Sequence, residues 1–371
     1  MTASRTTPPR RILVTQLQHH GDVLLTTPIF AALKRHYPGV EIDAMVFAES
    51  APVIAANPDL AHVLALPRSK DGGKGLRQVS RLLSLARHIR QRRYDWVLHL
   101  NDRWQGAFAA LISGAPLRVG HEIGKRNNIV WHTAFPLRVP DTPYGHRVER
   151  NLAFLRDIGV PIDDRDGQCR MAISAADQAL MEQKMAAAGV CGDYILLHPT
   201  SRWFFKCWED ERFAKVIRTL AEQGHRIVLT AAPAPREMAL VDSLLAQAAH
   251  PNIVSLAGQL NLPALAAAIA KAKLFLGVDS LPMHMAAALD VPSVALFGPT
   301  HVDIWRPWSD KAIVIHAADY GPLIAPNDVN VHTDERYLSN IPVQPVLDAI
   351  QTQLARYSPQ QQTSELAAVT A

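Results

Sequence analysis

Directly after the apolar run Arg11-Ile12-Leu13-Val14-Thr15, the chain places Gly21 and Asp22 within Gln18-His19-His20-Gly21-Asp22-Val23. Ligands of parallel α/β sheets gather at the carboxyl ends of strands. A glycine there lets the backbone turn tightly against a ligand. An aspartate in that position either caps the following helix or accepts a proton as a general base. Both roles stay open at this point. The pair is not a GxGxxG dinucleotide fingerprint. A second group, Leu197-His198-Pro199-Thr200-Ser201 with Lys206 and Trp208, puts two hydroxyls and a point charge after a strand. That combination suits phosphate oxygens, although it lacks P-loop spacing and equally describes a polar surface loop. A third, Gly277-Val278-Asp279-Ser280-Leu281-Pro282-Met283-His284 followed by alanines, runs from a strand through a polar turn into a small-residue helix. Asp279 or Ser280 would cap that helix, and its N-terminal N–H groups would face a diphosphate. His284 falls four residues after Ser280, on the same helical face, where a structural role and a ligand role both remain open. Met283 and Met285 read as core. No group of residues has metal-ligand spacing, so no protein-bound catalytic metal is expected.

The elements that must hold these groups alternate strand, turn and helix. In the first half, Val23 to His36 reads as one helix with Val23, Leu24, Ile29, Phe30 and Leu33 inward. Val40 to Phe47 and Tyr94 to Leu100 read as strands, with an Arg-rich helix from Leu76 to Arg92 between them. The pattern restarts with strand Tyr194 to His198, helix Glu211 to Gln223, and strands Arg226 to Thr230 and Lys273 to Val278. Helix Leu281 to Leu289 and strand Ser293 to Phe297 follow. Short apolar strands alternating with helices imply parallel βαβ units. Two such halves in series predict a doubly wound α/β protein with a ligand cleft between two domains, residues 1–175 and 176–357. The Gln/Ser/Thr/Ala-rich residues 358–371 read as a flexible tail.

The 371 residues, 48% hydrophobic and 19% charged, fit two soluble domains. No apolar stretch approaches the roughly 20 residues of a membrane span. The N-terminus, polar and Pro-rich, has no apolar signal core, which predicts a cytoplasmic protein. Cys169, Cys191 and Cys207 lack CxxC or metal spacing and read as free thiols. The net charge of +4 hides an asymmetry. Residues 1–150 carry 21 Lys/Arg against 11 Asp/Glu, and residues 151–371 carry 17 against 23. The basic half therefore invites an anionic partner: a nucleic acid, a phosphorylated glycan or an anionic membrane surface. No nucleic-acid-binding motif accompanies it.

Taken in order and spacing, these motifs resemble the ADP-heptose:lipopolysaccharide heptosyltransferase family from Arg11 to about residue 350. The marks are Ile12-Leu13-Val14 with Gly21-Asp22-Val23-Leu24; Tyr37-Pro38 then Glu41-Ile42-Asp43; Asn57-Pro58; and His198-Pro199-Thr200. Gly277-Val278-Asp279-Ser280 with His284, and Leu296-Phe297-Gly298-Pro299-Thr300, complete them. Gln18-His19-His20-Gly21-Asp22 and Trp305-Arg306-Pro307-Trp308 most resemble the members that add the third, side-branch heptose of the inner core.

The resemblance implies a GT-B fold and an inverting, metal-independent glycosyltransferase without cofactor, acting at the cytoplasmic face of the inner membrane. ADP-L-glycero-D-manno-heptose would be the donor and phosphorylated lipopolysaccharide core the acceptor. It implies Asp22 as catalytic base. Thr200, Ser201 and Lys206 would hold the donor diphosphate and sugar, Glu237 the ribose, and Leu260 the adenine. Asp279, Ser280 and His284 would form the second donor turn. Gly21, Arg68, Lys70, Lys74, Arg77, Lys125 and Arg126 are the candidates for acceptor contacts. Two features depart from the family pattern. The stretch His198 to Lys206 is one residue longer, and Leu281 stands where a glycine is usual. Other outcomes remain: a heptosyltransferase for a protein or capsule, a nucleotide-sugar epimerase or hydrolase, or a non-catalytic binding module.

Overall fold

A computed structural model describes residues 8–68, 76–141 and 144–357. The chain forms two compact units, Met1–Ala172 and Ile173–Ala371. The sheet of the first unit comprises β1 (Arg11–Gln16), β2 (Glu41–Phe47), β3 (His62–Leu66), β4 (Trp96–His99), β5 (Leu117–Glu122) and β6 (Leu137–Pro140). They are ordered β3-β2-β1-β4-β5-β6, all parallel. Its helices are α1 (His20–Leu24), α2 (Thr27–His36), α3 (Leu76–Arg92), α4 (Trp104–Ser113), α5 (Ile129–Ala134) and α6 (Arg147–Asp157).

The second unit begins with α7 (Ala175–Ala187), then alternates β7 (Ile195–His198), α8 (Asp210–Glu222), β8 (Ile227–Leu229), α9 (Pro235–Ala248) and β9 (Ile253–Ser255). It continues with α10 (Leu262–Ala270), β10 (Leu274–Val278), α11 (Leu281–Ala288), β11 (Ser293–Phe297), α12 (Val302–Trp305), β12 (Ala312–His316) and α13 (Val343–Arg356). Its sheet is ordered β12-β11-β10-β7-β8-β9, again parallel. Both units thus have the Rossmann order, reversing direction between the first and fourth strand of each sheet. This is the α/β, doubly wound, two-domain architecture of GT-B enzymes.

Central strands such as β1 and β10 are buried on both faces, which explains their unbroken apolar sequence. One expected element divides. The helix read from Val23 to His36 is two helices, α1 and α2, because Pro28 has no N–H to continue the ladder and its ring opposes the Leu24 carbonyl. The side chains of Thr26 and Thr27 donate to the carbonyls of Asp22 and Leu24 at 2.8 Å across the break. Val23, Leu24, Ile29, Phe30 and Leu33 are nevertheless all buried.

Asp43, on β2, is fully buried yet answered on several sides. Arg92 donates through Nε at 2.8 Å, the Tyr94 hydroxyl donates at 2.6 Å, and His62 Nδ1 lies at 3.1 Å. A buried carboxylate persists only when so satisfied, and this network ties the end of α3 to the sheet. Cys169 and Cys207 are buried free thiols and Cys191 is exposed. No helix among the described residues is long and apolar enough to cross a membrane. Residues 358–371 lie outside the described residues.

Candidate active site

In the first unit the site is built at the β1/β4 switch point. The chain leaves β1 through Gln16, and Asn101, just beyond β4, donates to the Gln16 side-chain oxygen at 2.8 Å. Gln16 in turn donates to Thr26 Oγ1 at 3.1 Å. This buried chain fixes the turn that carries Asp22. Asp22 is not the N-cap of α1. That position is His19, and Asp22 sits at the third helical residue, its Oδ2 accepting the His19 N–H at 3.3 Å. Its other oxygen lies 3.5 Å from Arg147 Nη2. Arg147 also donates to Gln18 Oε1 at 2.9 Å.

Burial raises the pKa of Asp22 above the ordinary carboxylate value, while Arg147, His19 and the His19 N–H hold it partly down. Arg147 is lowered by burial, partly offset by Asp22. Both charges are thus disfavoured by desolvation, and a pair at 3.5 Å only partly compensates. Asp22 is therefore a buried carboxylate with elevated proton affinity. The oxygen facing Arg147 is not the one accepting from His19.

Arg147 was not singled out from sequence. A signal did exist. It is the first residue of α6, where the helix dipole disfavours a cation, and the capping box of His146 and Glu149 places that helix start firmly, Glu149 accepting the His146 N–H at 2.7 Å. An arginine at such a position is favoured by an anion in front of it.

Among the acceptor candidates, Gly21 lies in α1. Arg68 pairs with Glu49, stacks 4.3 Å from the Phe47 ring centroid and reaches the Gln18 carbonyl at 3.4 Å. Lys125 reaches Asp102 at 2.6 Å, and Arg126 donates to the Asp102 carbonyl at 2.9 Å while lying over Trp104. Lys70, Lys74 and the side chain of Arg77 lie outside the described residues. Burial of Asp102 is outweighed by Lys125, Arg103 and Arg126, so its pKa is lowered. It is a weaker base than Asp22.

In the second unit the equivalent switch point, between β7 and β10, gathers the expected donor residues. Gly277 pairs in register with His198. A Cβ at Gly277 would sit 2.6 Å from the Phe275 ring and 3.1 Å from the His198 carbonyl, so a side chain there would collide. The following turn brings Asp279 Oδ2 to 2.7 Å from Lys206 Nζ and 2.8 Å from Thr300 Oγ1. Lys206 is nearly buried and lies over the Trp203 ring. Thr200 donates to Glu237 Oε2 at 2.6 Å and lies 3.4 Å from His198 Nε2. His198 Nδ1 meets Thr230 at 3.0 Å, and burial lowers the imidazole pKa to about 4, leaving it neutral. Ser201 Oγ accepts the Trp203 N–H at 3.4 Å. Leu260 is half-buried after the left-handed Gly258, and His284 is buried in α11.

One expectation about the Asp279-Ser280 turn is corrected. Neither side chain caps α11. Ser280 occupies the N-cap position, but its hydroxyl donates back to the Val278 carbonyl at 3.2 Å, and Asp279 is held by Lys206 and Thr300. Of the first three residues of α11, Pro282 has no N–H and the Met283 N–H donates to the Ser280 carbonyl at 3.2 Å, which leaves the Leu281 N–H for another acceptor. Nor does Leu281 strain the turn. Among the described residues its φ is not positive, so it occupies an ordinary first helical position with Pro282 at the second. Thr300, His198 and Thr230 complete this cluster. Their motif was visible in sequence, but their partners were not.

The sequence model described as glycosyltransferase family 9 (heptosyltransferase) matches residues 82–329. The chain belongs to that family. A lipopolysaccharide heptosyltransferase 3 of Escherichia coli is 33% identical over 334 residues, covering 90% of this chain and 96% of the relative. A lipopolysaccharide heptosyltransferase 2 of Salmonella typhimurium is 27% identical, covering 82% and 87%. Among solved structures, a family 9 glycosyltransferase from Veillonella parvula superposes with a TM-score of 0.78 at 24% identity, over 94% of this chain and 97% of the other. An E. coli heptosyltransferase solved with ADP gives 0.74 at 20% identity, over 92% and 99%. Both share the fold of this heptosyltransferase.

Proposed function

We propose that this heptosyltransferase moves a heptose, with anomeric inversion, from ADP-L-glycero-D-manno-heptose to the inner core of lipopolysaccharide, adding the third heptose onto the second. The observation that carries this is the occupancy of both switch points: a buried carboxylate of raised pKa in one unit, and a lysine–hydroxyl–helix turn in the other. The 33% identity to a heptosyltransferase 3 supports the choice of acceptor.

In a single displacement the acceptor hydroxyl attacks the anomeric carbon as the bond to the diphosphate breaks. Asp22 takes the hydroxyl proton. Lys206, the hydroxyls of Thr200 and Ser201 and the Leu281 N–H at the start of α11 stabilise the charge developing on the departing ADP. Glu237 would receive a ribose hydroxyl, supported by the hydrogen bond from Thr200 that holds its Oε2, and Leu260 would offer an apolar contact to the base. Lys206 and the N–H and hydroxyl donors would do the work a divalent ion does in other transferases, so the reaction is proposed to be metal-independent. The enzyme would act at the cytoplasmic face of the inner membrane. The test is ADP release from ADP-heptose with and without truncated core glycan, in EDTA. Release that requires acceptor and survives chelation is expected. Release without acceptor would point to a hydrolase, and loss restored by Mg²⁺ would refute metal independence.

A further inference from the structure

Helix α4, Trp-Gln-Gly-Ala-Phe-Ala-Ala-Leu-Ile-Ser, carries no charged residue. Its inward face is made of small residues, Gly106, Ala107, Ala109 and Ala110, so the backbone lies close to the sheet. The fit is tight: a Cβ at Gly106 would fall 2.1 Å from the buried His99 ring. Past Trp104, which packs against the core, the large apolar side chains of the helix point the other way. Phe108 is 55% exposed, and Leu111 and Ile112 are exposed beside it. The neighbouring α5 repeats the inversion. Trp131 faces inward against Trp104 of α4, while Ile129, 81% exposed, and Val130 face solvent. A surface helix normally turns its large apolar residues inward, and an exposed cluster of this kind marks an interaction surface.

The rim of this face is basic. Helix α3 packs beside α4 and carries five arginines and no acidic residue. Arg87 and Arg90 on it are exposed, and Arg90 donates to the Ser113 carbonyl at the end of α4, at 3.4 Å. Exposed Lys125 lies in the turn leading to α5. The acidic groups nearby are Asp102, which pairs with Lys125, and exposed Glu122. Apolar side chains ringed by Lys and Arg are the pattern that settles into the headgroup region of a bilayer bearing anionic lipids. A second copy of the chain is a poorer occupant, because two basic rims would repel.

We propose that the α4–α5 face of the first unit docks on an anionic lipid bilayer, with Phe108, Ile112 and Ile129 entering the interface. This rests on the reading that the acceptor is the lipid-borne lipopolysaccharide core, and it names the face by which the enzyme would approach that lipid. Docking there needs no spanning helix. The Lys125-Arg126 turn precedes α5 in the chain and contacts Asp102, just beyond β4, so basic groups adjoin that face for a phosphorylated glycan to meet.

Sedimentation of the full chain with phosphatidylcholine vesicles, with and without phosphatidylglycerol, tests the proposal. The wild type is expected to pellet with the phosphatidylglycerol vesicles, less so at high salt. The combined Phe108→Gln, Ile112→Gln, Ile129→Gln variant should lose at least about tenfold in partitioning, as expected for withdrawing three apolar side chains from lipid. It should keep the wild-type rate of ADP release on soluble, lipid-free core glycan. Hydrogen exchange on the wild type, which needs no variant to fold, should show vesicle protection in α4 and α5. Wild type that stays in the supernatant, a variant that pellets equally well, or vesicle protection confined to other segments would overturn it. So would a wild-type dimer that the variant abolishes with vesicle binding unchanged, which would make the face a protein interface. If vesicle binding behaves as expected but core glycan never stimulates ADP release, the docking face stands and the acceptor assignment falls.

Discussion

At Asp22, burial and neighbouring charge act in opposite directions. Burial raises its pKa, and Arg147 and the His19 N–H lower it. The basic form is the unprotonated one, so kcat should fall as pH drops through this pKa, with the acid limb above the ordinary carboxylate range. Asp22→Asn keeps an oxygen for the His19 N–H but removes the proton acceptor. Its kcat should drop by about 10²–10⁴-fold, with near-normal melting temperature and ADP affinity. Retention of more than about a tenth of wild-type kcat, short of the general-base range, would remove Asp22 from the mechanism. Arg147→Gln deletes the cation nearest Asp22 among its recorded partners. The Asp22 pKa should then rise further, moving the acid limb of the kcat profile to higher pH, while Arg147→Lys restores most of its position. A uniform loss of rate at every pH would mean that Arg147 merely supports the fold.

At the scale of elements, the decisive features are short turns whose geometry follows from single residues. Pro28 ends α1 early and leaves Asp22 in a five-residue helix beside the sheet edge rather than in a continuous one. Leu281, where the family resemblance leads one to expect glycine, begins α11 without a positive φ. Leu281→Gly therefore relieves no strain. It should lower stability by about 0.5–1 kcal/mol through the greater backbone entropy of glycine, with kcat unchanged in the ADP-release assay. A marked gain in kcat would show that the turn needs a freedom that leucine denies it.

At the scale of the whole molecule, the basic residues are concentrated in the first half and the residues proposed to bind the donor in the second unit. Exposed charges are screened beyond a Debye length of roughly 8 Å at physiological salt. Acceptor KM for phosphorylated core glycan should rise with ionic strength, and dephosphorylated glycan should bind more weakly from the outset. Donor KM should move less, because the Lys206–Asp279 pair is buried. A salt-independent acceptor KM would give the basic half a different purpose.

The fold was legible in the sequence because each central strand is buried on both faces and so reads as an unbroken apolar run between glycine turns. Arg11 to Thr15 and Ser293 to Phe297 show this directly. The edge strands β3, β6, β9 and β12 carry weaker patterns, being short or only partly buried. The sequence by itself also determined which residue types stand after β1, β7 and β10, since ligand groups follow strands in this architecture. Which of those side chains meet was decided by tertiary structure alone. Arg147 lies 125 residues from Asp22, and Asp279 lies 73 from Lys206. No local period links such distant positions. Their meeting depends on the order of strands in each sheet, and only that packing sets the burial that raises the proton affinity of Asp22.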